Sequence, residues 1–173
     1  MPLHPEKRAQ AGFTLIEIAV VMVIISMVMM LVIPRLPTSD QENLKISART
    51  LASTLRYMQE RAATSRTAYY LAMAPGTETV KILEVGGDGA SKEPSDPILQ
   101  RSPVKEGVVV ADVRIPRIGK VSDGQVRVDI GAAGVRDFVT IHLRSAAGQF
   151  WTVMAFPSGG KVKYFEGYLE DPP

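Results

Sequence analysis

The side chains in this 173-residue sequence that could do chemistry are few and scattered. Cysteine is absent, which removes disulfides, thiolate metal sites and cysteine nucleophiles together. The two histidines are His4, in a short segment ahead of a long apolar stretch, and His142, in Val139-Thr140-Ile141-His142-Leu143. Apolar and polar side chains alternate there, so His142 is expected on the polar, solvated face of a strand beside Thr140 and Arg144. One such histidine without cysteine argues against a zinc site or a nucleophilic triad. Gly159-Gly160-Lys161 has the glycine and lysine of a phosphate loop but lacks the upstream glycine. Val162 also stands where Ser or Thr is needed, so the segment reads as a turn. Asp88, Glu93 and Asp96 share one loop without EF-hand spacing and are expected to be hydrated rather than metal-bound. No catalytic residue, metal or cofactor is expected.

Two lysines, Lys161 and Lys163, stand two apart in a strand-like segment and could meet successive phosphates. Lysine lacks the bidentate fork of arginine, and Glu166, Glu170 and Asp171 follow closely, so a solvated strand face is favoured over a nucleic-acid contact. The net charge of +2, from 20 basic and 18 acidic residues, adds no global field that would draw nucleic acid.

The ionisable residue with the most unusual setting is Glu17. It lies within Phe13 to Ile33, an otherwise uncharged apolar stretch whose only other polar members are Thr14 and Ser26. At about 1.5 Å per residue this stretch makes a helix of roughly 32 Å, close to the hydrocarbon thickness of a bilayer. Lys7 and Arg8 precede it, so the positive-inside rule leaves the N-terminus in the cytoplasm and sends the rest outward. A secretory signal has a shorter apolar stretch and a small-x-small cleavage site, neither of which fits Ile33-Pro34-Arg35-Leu36-Pro37. A plain single-span anchor accounts for the length but not for a carboxylate inside it. That carboxylate either snorkels from a shallow position or faces a partner. Ser26 is expected to bond back to its own backbone, and Met22, Met27, Met29 and Met30 to fill packing gaps.

The segment Ala11-Gly12-Phe13-Thr14-Leu15-Ile16-Glu17 resembles the processing site of type IV prepilins and type II secretion pseudopilins. The resemblance implies that a prepilin peptidase cuts between Gly12 and Phe13 and methylates the new amine of Phe13. It also implies that Glu17 serves filament assembly, as the counter-charge of that amine on a neighbouring subunit. Four helical residues rise only about 6 Å, so a slightly staggered neighbour lies within reach. Partners implied are the peptidase, other major and minor pseudopilins contacted through the helix, an inner-membrane assembly platform and the lipid bilayer.

The elements downstream must position a soluble domain. Pro34 and Pro37 lack amide donors and are expected to break or kink the helix between 34 and 39. Ser39-Asp40-Gln41-Glu42 reads as a capping box that restarts it. Leu44, Ala48, Leu51, Ala52, Leu55, Met58 and Ala62 then recur at three- and four-residue spacing, predicting an amphipathic helix over 40–66 with Lys45, Arg49, Arg56 and Glu60 on other faces. Seven strands are expected at 68–74, 79–85, 108–115, 125–130, 138–144, 150–156 and 161–165, the first two as a hairpin through Pro75-Gly76, with a surface loop at 86–97.

The organisation expected is a leader at 1–12, a membrane and assembly helix at 13–33, a break at 34–39, the amphipathic helix, and a β-rich periplasmic domain at 67–173. This is an α+β, pilin-like plan, the long helix packed on an antiparallel sheet or on one sheet of a sandwich. Glu60-Arg61-Ala62-Ala63 at the helix end, the immediate hairpin and the closing Pro157-Ser158-Gly159-Gly160-Lys161-Val162 resemble the H component among minor pseudopilins, a group that includes related minor pilins. Glu17 argues against the K component, which typically lacks this carboxylate and is larger, and the major subunit is usually shorter. The resemblance implies a structural subunit of a periplasmic pseudopilus. A minor pilin of pilus assembly or DNA uptake is the alternative, and a membrane-anchored enzyme is a third.

Overall fold

Seven apolar residues on one side of a helix need a common surface to cover them. In the computed structural model of the chain, Leu44, Ala48, Leu51, Ala52, Leu55, Met58 and Ala62 are all buried. The structure describes residues 14–32, 39–157 and 160–172. The Gly12-Phe13 junction and the break expected at Pro34 therefore lie outside the described residues. The chain divides into two units, Met1–Pro37 and Thr38–Pro173. The first contains helix α1 (Leu15–Val32), and the second begins with helix α2 (Ser39–Ser65).

Helix α2 starts at Ser39, where the sequence predicts a start, and keeps Lys45, Arg49, Arg56 and Glu60 exposed. It ends at Ser65, and Arg66 follows with φ 54°. That left-handed conformation closes a helix well but suits glycine better than a residue with a Cβ. Arg66→Gly is expected to stabilise the domain by about 0.5 kcal/mol, the relief of strain being partly offset by greater freedom of the unfolded chain. A urea midpoint measured for the two proteins checks this.

The strands are β1 (Ala68–Met73), β2 (Val80–Val85), β3 (Ser91–Lys92), β4 (Val108–Ile115), β5 (Gly119–Val121), β6 (Val126–Gly131), β7 (Gly134–Val135), β8 (Val139–Ser145), β9 (Phe150–Ala155) and β10 (Val162–Glu166). They form two five-stranded antiparallel sheets, ordered β3-β2-β1-β6-β7 and β10-β9-β8-β4-β5. The seven expected strands are present. Three short ones, β3, β5 and β7, were not expected, and β3 falls inside the segment read as a loop. Two- and three-residue strands are too short to show alternation, so pairing with a longer neighbour defines them.

Helix α2 contacts strands of both sheets, β9, β10, β8 and β4 of one and β6, β7 and β1 of the other. Its stripe, Leu71 and Val128 of the first sheet and Leu143 and Val153 of the second belong to one continuous core. One helix thus covers two sheets, where one sheet could have sufficed. The cause lies in the strands themselves: each sheet presents one face of alternating apolar residues, and a single buried core satisfies both faces and the helix.

Strand β4 departs from strict alternation in a way that matters below. Val108 and Val110 point into the core, which would place Asp112 inward and Val113 outward. A bulge between Val110 and Asp112 resets the phase. Val113 and Ile115 consequently enter the core, and Asp112 pairs with His142 on the outer face of the second sheet.

Candidate functional site

Helix α1 is built almost wholly from Leu, Ile, Val, Met and Ala, and every side chain from Leu15 to Met30 is exposed in the isolated chain. Up to Met30 its large apolar residues range from Val21 at 45% to Leu15 at 91% exposed. There is no polar side, so the whole circumference calls for an apolar environment or for other helices. At about 1.5 Å per residue its 18 residues span roughly 27 Å. Among the described residues no helix is long and apolar enough to cross a membrane. Phe13 and Ile33, the ends of the expected span, lie outside them.

Thr14 caps this helix: the Glu17 amide donates to the Thr14 carbonyl at 3.1 Å and to its Oγ1 at 3.2 Å. Thr14 and Glu17 have capping-box spacing, yet among the described residues the Glu17 carboxylate accepts no hydrogen bond and enters no ion pair. It stands exposed. Ser26 donates to the Met22 carbonyl at 2.8 Å, as expected for a serine in an apolar helix.

The basic pair separates in environment. Lys161 is exposed just before β10, whereas Lys163 is half-buried, its ammonium 5.9 Å from the centre of the Phe165 ring. Between them the Val162 carbonyl accepts from Arg56 of α2, which covers that position of the strand edge. The acidic loop residues do not converge either, and among the described residues no group of three or more His, Asp or Glu side chains could hold a metal. Asp88 accepts from the Ala90 amide, while Asp96 turns to α2, accepting from the Tyr57 hydroxyl at 2.5 Å and lying 3.7 Å from Arg61.

Asp96 is held below its ordinary range first by the Tyr57 hydroxyl, then by the Ile98 amide and Arg61, and the same contact raises Tyr57. A depressed carboxylate contributes stability above its ordinary value near 4 and loses it as pH falls through the lowered value. Tyr57→Phe is expected to lower the urea midpoint at about pH 6 and to shrink the further drop on going to about pH 2.5. Glu84, depressed chiefly by Lys92 at 3.0 Å, supplies the acid sensitivity that remains.

His142 is not the solvated strand residue expected. It is wholly buried, because the segment after β10 folds back over the outer face of the second sheet. Its Nδ1 lies 2.7 Å from Asp112 Oδ1 and its Nε2 lies 2.9 Å from the Leu169 carbonyl, while Tyr168 stacks on the ring at 3.8 Å. Lys120 lies 2.8 Å from the Tyr168 hydroxyl and 3.5 Å from Asp112 Oδ2. The Tyr168 hydroxyl, and after it Asp112, raise Lys120 above the usual lysine range. Asp112 escaped the sequence reading; its signal was the phase break in Val110-Ala111-Asp112-Val113, where strict alternation cannot bury both valines.

Residues 7–33 match the family described as the prokaryotic N-terminal methylation motif. That stretch includes Gly12, Phe13 and Glu17. No curated protein matches the chain. Among solved structures, the chain is similar to two of the minor pseudopilin EpsH from the type II secretion system of Vibrio cholerae. One is 18% identical with a TM-score of 0.54, covering 72% of this chain and 97% of that one. The other is also 18% identical, with a TM-score of 0.59 and coverage of 75% and 98%. The chain has a pilin-like fold, shared with these minor pseudopilins, and bears the prokaryotic N-terminal methylation motif at its start.

Proposed function

We propose that the chain is a minor pseudopilin, most like the H component, and a structural subunit of the periplasmic pseudopilus of a type II secretion system. One conjunction supports the reading: the methylation motif over residues 7–33 coincides with a helix that is apolar on every side except for the carboxylate of Glu17, which has no partner among the described residues, in a chain with the EpsH fold. In this reading prepilin peptidase cuts between Gly12 and Phe13 and methylates Phe13. The apolar stretch from Phe13 to Ile33 then holds the subunit in the inner membrane, N-terminus cytoplasmic and β-rich domain periplasmic, until the assembly platform draws it into the filament. Pro34 separates the membrane part from the domain. The subunit packs against other pseudopilins and catalyses no reaction.

The mass of the mature N-terminus tests this directly. A chain beginning at methylated Phe13 is expected; one beginning at Met1, or cut beyond Ile33, would overturn the reading. Deletion of the gene separates secretion from the pilus alternative. Exoproteins stranded in the periplasm accord with the pseudopilus, whereas lost twitching or transformation would assign the chain to a minor pilin.

A further inference from the structure

Strand β2 is covered along only part of its outer edge. On one side all of it pairs with β1, but on the other β3 pairs with Glu84 and Val85 alone, which leaves Val80–Leu83 open. The bonds at the two ends of the strand show which main-chain groups look outward. The Ala74 amide donates to the Thr79 carbonyl at 3.2 Å, on the β1 side, and the Gly86 amide donates to the Ala90 carbonyl at 2.8 Å, on the β3 side. In an antiparallel ladder successive residues turn their main-chain groups to opposite sides. Lys81 and Leu83 therefore turn to β1, and Val80 and Ile82 each hold an amide and a carbonyl to the open edge. Among the described residues none of these four groups is paired across it. The Val80 and Ile82 side chains are buried in the core, which fixes the edge in place.

This edge is one wall of a groove of about 560 Å³ whose other wall is formed by Leu99–Ser102. Leu99 is itself buried in the core, so the second wall is anchored. A strand rises about 3.3 Å per residue, lies about 4.8 Å from its neighbour and takes up about 10 Å across a sheet, so four residues fill roughly 600 Å³. The groove thus has room for one strand along the four uncovered residues. The edge of another sheet would bring a further strand behind the first and meet the second wall, whereas a single extended segment fits between. Charge narrows the class of segment. Lys81 and Arg101 line the groove from its two walls, both exposed and neither in an ion pair among the described residues. Glu93 lies toward the β3 end and Glu78 toward the other, where it accepts from the Gly107 amide at 3.0 Å.

We propose that the groove is a strand-addition site for an extended segment of another protein, about four residues long and acidic near its middle. Main-chain hydrogen bonds to Val80 and Ile82 hold the segment, and Lys81 and Arg101 select its central carboxylate. The site lies wholly in the unit Thr38–Pro173, so it stands apart from the pseudopilus reading and from the role of Glu17.

The probe is an end-blocked peptide of about six residues, alternating threonine and valine around one central glutamate, added at about 1 mM to the full chain in detergent micelles. Hydrogen exchange of the Val80 and Ile82 amides should slow at least about threefold, while Lys81 and Leu83, already bonded to β1, stay unchanged. Methylating alternate peptide nitrogens keeps every side chain and, in one of the two phases, should abolish the protection. Exchange at Val80 and Ile82 that does not respond to the peptide, or protection that survives methylation in both phases, overturns the site. A peptide with lysine in place of the glutamate should bind at least about threefold more weakly at low salt, and Lys81→Glu combined with Arg101→Glu, both at exposed positions, should reverse that order. Equal binding of the two peptides overturns the acidic assignment. Protection of the same amides that grows with protein concentration in the absence of peptide would give the edge to a second copy and overturn the proposal as well.

Discussion

Glu17→Ala is expected to leave membrane insertion and cleavage intact while cutting incorporation into filaments by roughly a hundredfold. In the proposed assembly the carboxylate meets the methylated amine of Phe13 on a staggered neighbour, in surroundings supplied by helices apolar on every side. Removing one partner of a buried ion pair leaves the other uncompensated and costs about 3 kcal/mol or more. Glu17 has no other employment: among the described residues its carboxylate has no partner, and the helix cap is made by its amide with Thr14. The cap survives in the alanine variant, so a folding defect of α1 is not expected to mimic the loss. Glu17→Gln, which keeps an acceptor but not the charge, should fall between the two. Recovery of each variant in sheared filaments, normalised to its mature form in the membrane, measures the effect. Normal incorporation of Glu17→Ala would remove the proposed role.

The second large effect concerns the soluble unit. Leu55→Ala is expected to destabilise it by about 3 kcal/mol, because Leu55 is 1% exposed on the face of α2 that covers both sheets. The loss combines transfer of the leucine's methyl groups with a cavity that neither sheet can close alone. Arg49→Ala on the exposed side of the same helix should stay within about 0.5 kcal/mol of the native protein. Urea unfolding of the three proteins makes the comparison. A Leu55→Ala effect under about 1 kcal/mol would mean that the helix does not hold the two sheets together.

Much of this architecture could be read from residue spacing. The stripe from Leu44 to Ala62 repeats over five turns, and long amphipathic periodicity survives whatever the helix packs upon. The main strands were legible for the same reason, each long enough to alternate. The number of sheets was not legible, because the inward face of a strand looks alike whether it meets a helix, a second sheet or both. His142 shows the limit most clearly. Alternation placed it on the outer face of β8, which is where it lies, but polarity was then taken for solvent exposure. A strap six residues from the end of the chain covers that face, and nothing in the local pattern of β8 announces a contact with Leu169. Asp112 was hidden by a single extra residue in β4, since a bulge reverses every inference drawn from parity beyond it. In the candidate assembly helix, the lone carboxylate and its apolar surroundings were fully legible, whereas the lack of a partner for it among the described residues needed coordinates.

The ends of the two sheets bear on how such a chain can be stored at high density without clumping. The first sheet ends in β3 and β7, of two residues each, and the second in β5, of three, and β10, of five. Long open edges invite strands of other molecules, and short ones offer too few amides to hold them. The one longer edge has Arg56 laid on the Val162 carbonyl, and where β3 leaves Val80–Leu83 uncovered, Lys81 puts a charge on the rim. Copies of the chain are thereby kept from pairing through their sheet edges.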